Sequence, residues 1–543
     1  VLAAVGAGRA FAAPPCARPR SGAVVQPPPD VYSVNGRLTV ALTYDTAADS
    51  TGETLYCFQT ADGSEAPTLH VFPGDTIDIT LTDRVPEPPG GTVAAGRAPM
   101  EMATNASTVC GATTMDTTSV NMHFHGMNVA PRCHEDEVIH TIINSGQTFR
   151  YVLKVPVDEP PGMYWYHPHI HGQSETAVLG GASGAIEVEG IQSIQPAVLG
   201  LKQRFLVLRD QPVGGVVLQN APGWNVSVNY VPILYPNYQP AVIEAEPGRK
   251  EFWRVVNAAA DTIMDLAVTY DGVPQTLRLV ALDGVPTGSQ DGAGQGTLID
   301  VKHILVPPAG RAEFIVTTPP AGTRQAVFLT RKIDTGPQGD NDPGRPLAVI
   351  RVGAGGQDLP VLTPLVAHKP AVPRFNALAQ APVTGKRLLY FSEAFVDVNN
   401  PAAAGGRRRA SSPGDASFFY ITVEGQTPTL FSPDNPPAIT THQGAVEDWT
   451  IQNQTLEDHE FHIHQIHFLL LARNGKAVPV EQQQMLDTVN VPYWSGQGPY
   501  PSVTLRMDFR GQVVGDFVYH CHILNHEDHG MMAIVRVLPK EPG

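Results

Sequence analysis

Thirteen of the 19 histidines fall into four short windows, 123–125, 167–171, 459–467 and 520–529. Within them His123/His125, His167/His169, His462/His464 and His520/His522 each stand two residues apart. On a strand, residues i and i+2 point to one face, so the spacing predicts four same-face imidazole pairs. Imidazole suits copper, zinc, iron or nickel, and eight imidazoles exceed what one ion takes. A cluster of metal ions is the chemistry this pattern implies. A single H-x-H is a weak signal, more often a polar strand or a lone metal contact. Four of them on one repeated scaffold are not explained that way.

Cys521 points to a second centre. In His520-Cys521-His522 the thiol faces away from the two imidazoles, so its sulfur serves a different site or is an inert buried thiol. His526 and Met531 follow five and ten residues later, and His459, three before His462, can supply a second imidazole. A thiolate, two imidazoles and a weak thioether are the ligand set of a blue-copper electron-transfer site. Pro168 occupies the matching place in HPH at 167–169, so no second blue site is expected.

These residues need a rigid scaffold, and the composition says which kind. The 543-residue chain holds 51 Gly and 50 Pro and is only 16% charged, against about 25% for an average chain. Many turn formers with few Lys and Glu suit short strands and tight turns. Three segments look like copies of one unit: PTLHVFPGDTIDITLTD from 67, PAVIEAEPGRKEFWRVVNA from 240 and PAITTHQGAVEDWTIQNQT from 437. Each starts at Pro, passes a turn glycine (Gly74, Gly248, Gly444) and continues as an alternating strand. Their period is a whole domain, so an all-β chain of three tandem β-sandwiches is expected. YWYHPHIHG at 164–172, VFLTRK at 327–332 and FVYHCHILN at 517–525 echo one another, but the middle copy between 191 and 386 holds only His303 and His368. The outer domains therefore carry the site, and the middle one is expected to be a spacer. Linkers are expected at 191–200 and 353–386, and an exposed loop at 400–415 containing Arg407-Arg408-Arg409.

The formal charge of −16 excludes nucleic acid as a partner, since phosphate binding needs a basic face. No apolar run has transmembrane length. Five cysteines leave at least one unpaired. Cys110–Cys133, which flank the first histidine motif, are the favoured disulfide and Cys16–Cys57 the second, although three pairings of these four are possible. The start VLAAVGAGRAFAAPP resembles the tail of a secretory signal. Residues 1–29 are thus expected to be an export-signal remnant or a flexible N-terminus, and the location secreted or periplasmic.

HFHG at 123–126, HPH at 167–169, HEFHIH at 459–464 and HCHILNHEDHGMM at 520–532 resemble the four copper motifs of the multicopper oxidases. The likeness is closest to three-domain bacterial laccases, bilirubin oxidases and copper-efflux oxidases, and runs from roughly 30 to 540. It implies cupredoxin-like Greek-key domains over 30–190, 191–360 and 361–543, the middle one without copper ligands, and four copper ions per chain. By the resemblance, type 1 copper takes His459, Cys521, His526 and axial Met531, and type 2 takes His123 and His462. One type 3 copper takes His125, His167 and His522, the other His169, His464 and His520. Electrons would enter at His526 and pass through Cys521 to His520 and His522. Asp136 resembles the acid beside the type 2 water and Glu527 the acid reaching the type 3 pair, while His171, His467 and His529 match no ligand position.

The function implied is oxidation of small phenolic or aromatic donors coupled to four-electron reduction of dioxygen to water, by a monomer. Bilirubin oxidation and cuprous oxidation are the alternatives; the 11 Met are scattered rather than gathered in the segment a cuprous oxidase typically adds. A nitrite reductase is disfavoured by the complete eight-histidine set, and a non-enzymatic copper carrier is separated from an enzyme by oxygen consumption.

Overall fold

In the computed structural model the three repeated segments build the same arrangement three times. Strands Arg37–Ala48, Lys202–Gln211 and Gly385–Asp397 pair in parallel with Thr76–Asp83, Lys250–Asn257 and Val446–Asn453. Each of the latter pairs antiparallel with a later strand, Thr148–Lys154, Arg311–Thr317 or Ser502–Asp508. The first strand of each segment, Thr68–Val71, Ala241–Ala245 or Ile439–His442, joins the opposing sheet through a parallel partner near the end of its copy. The glycine between the two strands has φ of +90° at Gly74, +64° at Gly248 and +98° at Gly444, a left-handed conformation that glycine adopts without steric cost.

The structure describes residues 15–50, 52–87, 110–214, 221–288, 296–353, 356–365, 373–397 and 415–540. The chain is all-β with short helices, and its sheets stack in three sandwiches. Alternation drives the stacking: Arg37–Ala48 begins by exposing and burying successive side chains in turn. Its inward Leu38 and Leu42 meet Ile77, Ile79 and Phe124 in the first core. Separate cores around Trp253 and Trp449 fill the middle and last sandwiches. No helix among the described residues is long and apolar enough to cross a membrane.

Two departures from the sequence expectation matter. Residues 15–29, grouped above with the N-terminal tail, are held in place: Cys16 is bonded to Cys57, Val24 bridges Val242 and Val25 is buried in the middle core. The segment therefore straps the first sandwich to the middle one; residues 1–14 lie outside the described residues. The later part of the 353–386 linker is likewise packed, with Arg374 paired to Asp158 at 2.7 Å and Phe375 and Leu378 buried against Val285 and Val446. The 400–415 loop, Arg407–Arg409 included, falls almost wholly outside the described residues.

Both favoured disulfides form, Cys110–Cys133 and Cys16–Cys57, and Cys521 is free and buried. Cys110–Cys133 ties the strand Cys110–Gly111 to the turn carrying Asp136. Its replacement by two alanines is expected to cost about 2–4 kcal/mol, measured as a lower denaturation midpoint at unchanged m-value.

Candidate metal centre

Two pairs of antiparallel strands bring their histidines together between the first and last sandwiches. In the first, strand His123–His125 sets His123 opposite His167 on Gly162–His167. In the last, His459–Ile463 sets His462 opposite His520 on Gly515–Cys521. Across the junction the His123 ring stacks on His464 at 3.8 Å and His125 on His462 at 4.0 Å. His520 Nε2 lies 3.2 Å from Nε2 of both His169 and His464. His522 completes the set, its ring 5.0 Å from His125 and 5.5 Å from His167. All eight imidazoles are buried.

Six of these rings hold a buried nitrogen with no other occupation. His123 Nε2, His125 Nδ1, His167 Nε2, His462 Nε2, His464 Nδ1 and both His522 nitrogens are buried without a hydrogen-bond partner among the described residues. Buried polar atoms are normally paired, and each left unpaired costs free energy. Burial holds His125, His167, His169, His462, His464 and His522 well below the usual imidazole range and pushes His520 to about 3. Neutral imidazoles with converging lone pairs are what metal ions require. His169, His464 and His520 form one close triad, and His123 with His462 and His464 another.

Hydrogen bonds fix which nitrogen each ring presents. His167 Nδ1 donates to Pro168 O, His520 Nδ1 to Cys521 O and His462 Nδ1 to Asp487 O, each at 2.8 Å, which leaves Nε2 for a metal. His123 Nδ1 lies 3.0 and 3.1 Å from the two oxygens of Asp136. Asp136 also accepts from Phe124 N–H at 3.0 Å and Gln465 Nε2 at 2.6 Å. Gln465 and Asp487 carry no spacing signal in the sequence and were not foreseen.

The alternation in His520-Cys521-His522 puts the thiol on the other face, as expected. Cys521 Sγ lies 3.6 Å from His459 Nδ1 and 3.7 Å from His526 Nδ1, and these two nitrogens are 3.0 Å apart. Burial drives the thiol pKa up, so a thiolate here needs a cation beside it. Met531 is fully buried, its N–H donating to His526 O while its C=O accepts from Cys521 N–H. His467 Nε2 donates to Asp283 O at 2.9 Å, His529 Nδ1 to Asn525 O at 2.6 Å, and the His171 ring packs edge-on against Phe431.

Multicopper oxidase family models match residues 99–192 and 408–541, the two stretches that hold every residue of these centres. The chain belongs to the multicopper oxidase family. It is 22% identical to Multicopper oxidase LPR1 homolog 3 of Oryza sativa subsp. japonica, over 70% of this chain and 77% of that protein. It is 26% identical to a laccase of Haloferax volcanii over 53% of this chain, a match spanning 44% of that protein. A multicopper oxidase of Campylobacter jejuni, titled a metallo-oxidase, superposes with a TM-score of 0.65 at 20% identity, covering 96% of both chains. The fold is thus the cupredoxin-like one the motifs implied, and membership makes the chain an oxidoreductase that carries copper.

In this multicopper oxidase His526 lies at a wall of a cleft of about 370 Å³. Phe419 stacks on its ring at 4.2 Å, and Glu457 Oε1 lies 3.5 Å from its Nε2. Six carboxylates line the cleft: Asp261, Asp340, Asp342, Glu393, Glu457 and Asp458. Asp261 Oδ2 and Asp342 Oδ1 are buried there without a partner among the described residues. Glu527, one residue beyond His526 on helix Leu524–Asp528, is fully buried. Burial, with Asp528 adding to it, pushes its carboxyl well above the usual range.

Proposed function

We propose that this multicopper oxidase is laccase-like, coupling one-electron oxidation of phenolic or aromatic donors to four-electron reduction of dioxygen to water. Four coppers would be held: type 1 by His459, Cys521, His526 and Met531, type 2 by His123 and His462. The type 3 pair would take His125, His167 and His522 on one side and His169, His464 and His520 on the other. When bound, the copper set accepts single electrons and delivers them together to dioxygen. The chain's own residues do the rest. His526 presents its ring to the cleft where a donor docks, and Cys521 is bonded through the backbone to both His520 and His522. Asp136 keeps the His123 Nδ1 proton in place, and burial raises the hold of the Glu527 carboxyl on its proton.

The observation that carries this reading is the close His459–Cys521–His526 set whose cysteine lies between two cluster histidines. The copper-loaded enzyme is expected to consume oxygen with 2,6-dimethoxyphenol at four electrons per O₂ and to stop when copper is chelated. Copper binding without oxygen uptake would turn the protein into a carrier and end the enzymatic reading.

The six carboxylates around His526 favour a second reading, oxidation of a cationic donor such as Cu(I). Burial pushes all six carboxyls up, and an approaching cation favours their charged forms, whereas the carboxylate-bearing bilirubin finds no such partner there. kcat/KM for Cu(I), a neutral phenol and bilirubin in one buffer separates the three; a Cu(I) value far above the phenol value would move the assignment to a cuprous oxidase. The two disulfides support export to the periplasm or medium. We infer a monomer with one sandwich in each of the stretches 30–190, 191–360 and 361–543.

A further inference from the structure

None of the proposed ligands is a described residue of the middle sandwich, yet one of its side chains grips a residue that touches two of them. Asp487, in the last sandwich, touches two proposed ligands from opposite sides of the junction: its Oδ1 is 3.2 Å from His125 Nε2, and its carbonyl accepts from His462 Nδ1 at 2.8 Å. Arg311, at the start of the middle-sandwich strand Arg311–Thr317, grips that carboxylate with both arms, Nη1 to Oδ1 at 2.8 Å and Nη2 to Oδ2 at 2.5 Å. Its Nε donates to Met163 O of the first sandwich at 3.2 Å, so one guanidinium joins all three bodies. Asp283 braces the pair, Oδ1 accepting from Arg311 N–H at 2.9 Å and Oδ2 from Asp487 N–H at 3.2 Å. All three side chains are buried. Burial opposes the charge on Arg311, but Asp487 and Asp283 outweigh it and raise its pKa further.

Gly126, the glycine that closes HFHG, shows how closely this contact is built. Its φ is +83°, and a Cβ there would stand 2.3 Å from Arg311 Nη2 and 2.6 Å from Asp487 Oδ2. The glycine lets the first sandwich's histidine strand turn directly over the ion pair. A charge pair this deep is poor at adding stability compared with apolar packing. Its forked geometry is instead suited to orienting a carboxylate.

We propose that Arg311 is a positioning residue of the copper cluster: its bidentate hold on Asp487 sets the orientation of His125 and His462. The middle sandwich is then a working part of the centre rather than a spacer. The inference rests on the copper reading above.

Arg311→Lys keeps the charge and removes the fork; Asp487→Asn keeps the shape and removes the charge. In copper-loaded enzyme both variants are expected to keep the blue absorption of the Cys521 site. Their cluster copper should be lost to a chelator series at about 10–100-fold lower chelator concentration, with a changed type 2 electron paramagnetic resonance signal. The double variant should lose little more than either single one, since the two residues act as a unit. Arg204→Lys is the stability control, because Arg204 pairs with Glu251 in a buried contact inside the middle sandwich. If Arg311→Lys and Asp487→Asn lower the melting temperature as Arg204→Lys does but retain cluster copper and the wild-type signal, the pair is merely structural and the proposal fails. Wild-type chain that takes no copper at the eight histidines would overturn the copper reading itself, which is a different result.

Discussion

Cys521→Ser is expected to remove the intense thiolate-to-copper absorption completely. A serine hydroxyl is a poor ligand for a site that selects soft donors, and no other described cysteine is free to replace the thiol. The cluster histidines point to the opposite side of the strand, so about three coppers per chain should still bind, from ligand counting. Phenol oxidation should collapse, because the entry site and its backbone connection to His520 and His522 disappear together. The buried pocket tolerates the change in size, serine being smaller than cysteine, so folding is expected to survive. Metal analysis, visible spectroscopy and oxygen uptake on one preparation decide the matter. Persistent blue colour, or near-normal turnover without it, would refute the role assigned to Cys521.

The next largest effect is expected at Glu527. A buried carboxyl whose hold on its proton is raised by burial, one residue beyond His526 on the same short helix, is placed to supply protons, and general acid assistance is typically worth about 10²–10⁴-fold. Glu527→Gln should lower turnover by that order while copper content and reduction of the blue site by donor stay at wild-type values. Reoxidation by dioxygen, followed in stopped flow, should carry the whole defect; an unchanged reoxidation rate would leave Glu527 as packing. Asp136→Asn is expected to behave differently. Asp136 is engaged by His123, Phe124 and Gln465 at once, so the variant should also loosen copper, by about 10–100-fold. That difference separates a proton donor from a residue that orients a ligand.

Local spacing was enough to single out the histidines and the cysteine that the fold brings together. The i, i+2 rule is a property of any strand, so the four H-x-H pairs, the opposite facing of Cys521 and the absence of a second thiol at Pro168 could be read before any fold was known. The repeated Pro–turn–strand segments likewise announced three copies of one sandwich, since alternation of apolar side chains is a local requirement for a half-buried strand. Cysteine counting left three pairings open, because a disulfide depends on which backbones approach, and the fold selected Cys16–Cys57 and Cys110–Cys133.

Other features had no local signature. Residues 15–29 resemble a tail in composition, yet Val25 is buried in the middle core. Asp136 was visible as an acid near a motif, but its bonding to His123, Phe124 and Gln465 was not. Arg311 and Asp487 are 176 residues apart, and Asp487 and His125 are 362 apart. A periodic pattern reports only which face a residue occupies within its own element. Which faces of three sandwiches come together, and which buried charge meets which imidazole there, follows from packing between elements that no spacing along the chain encodes.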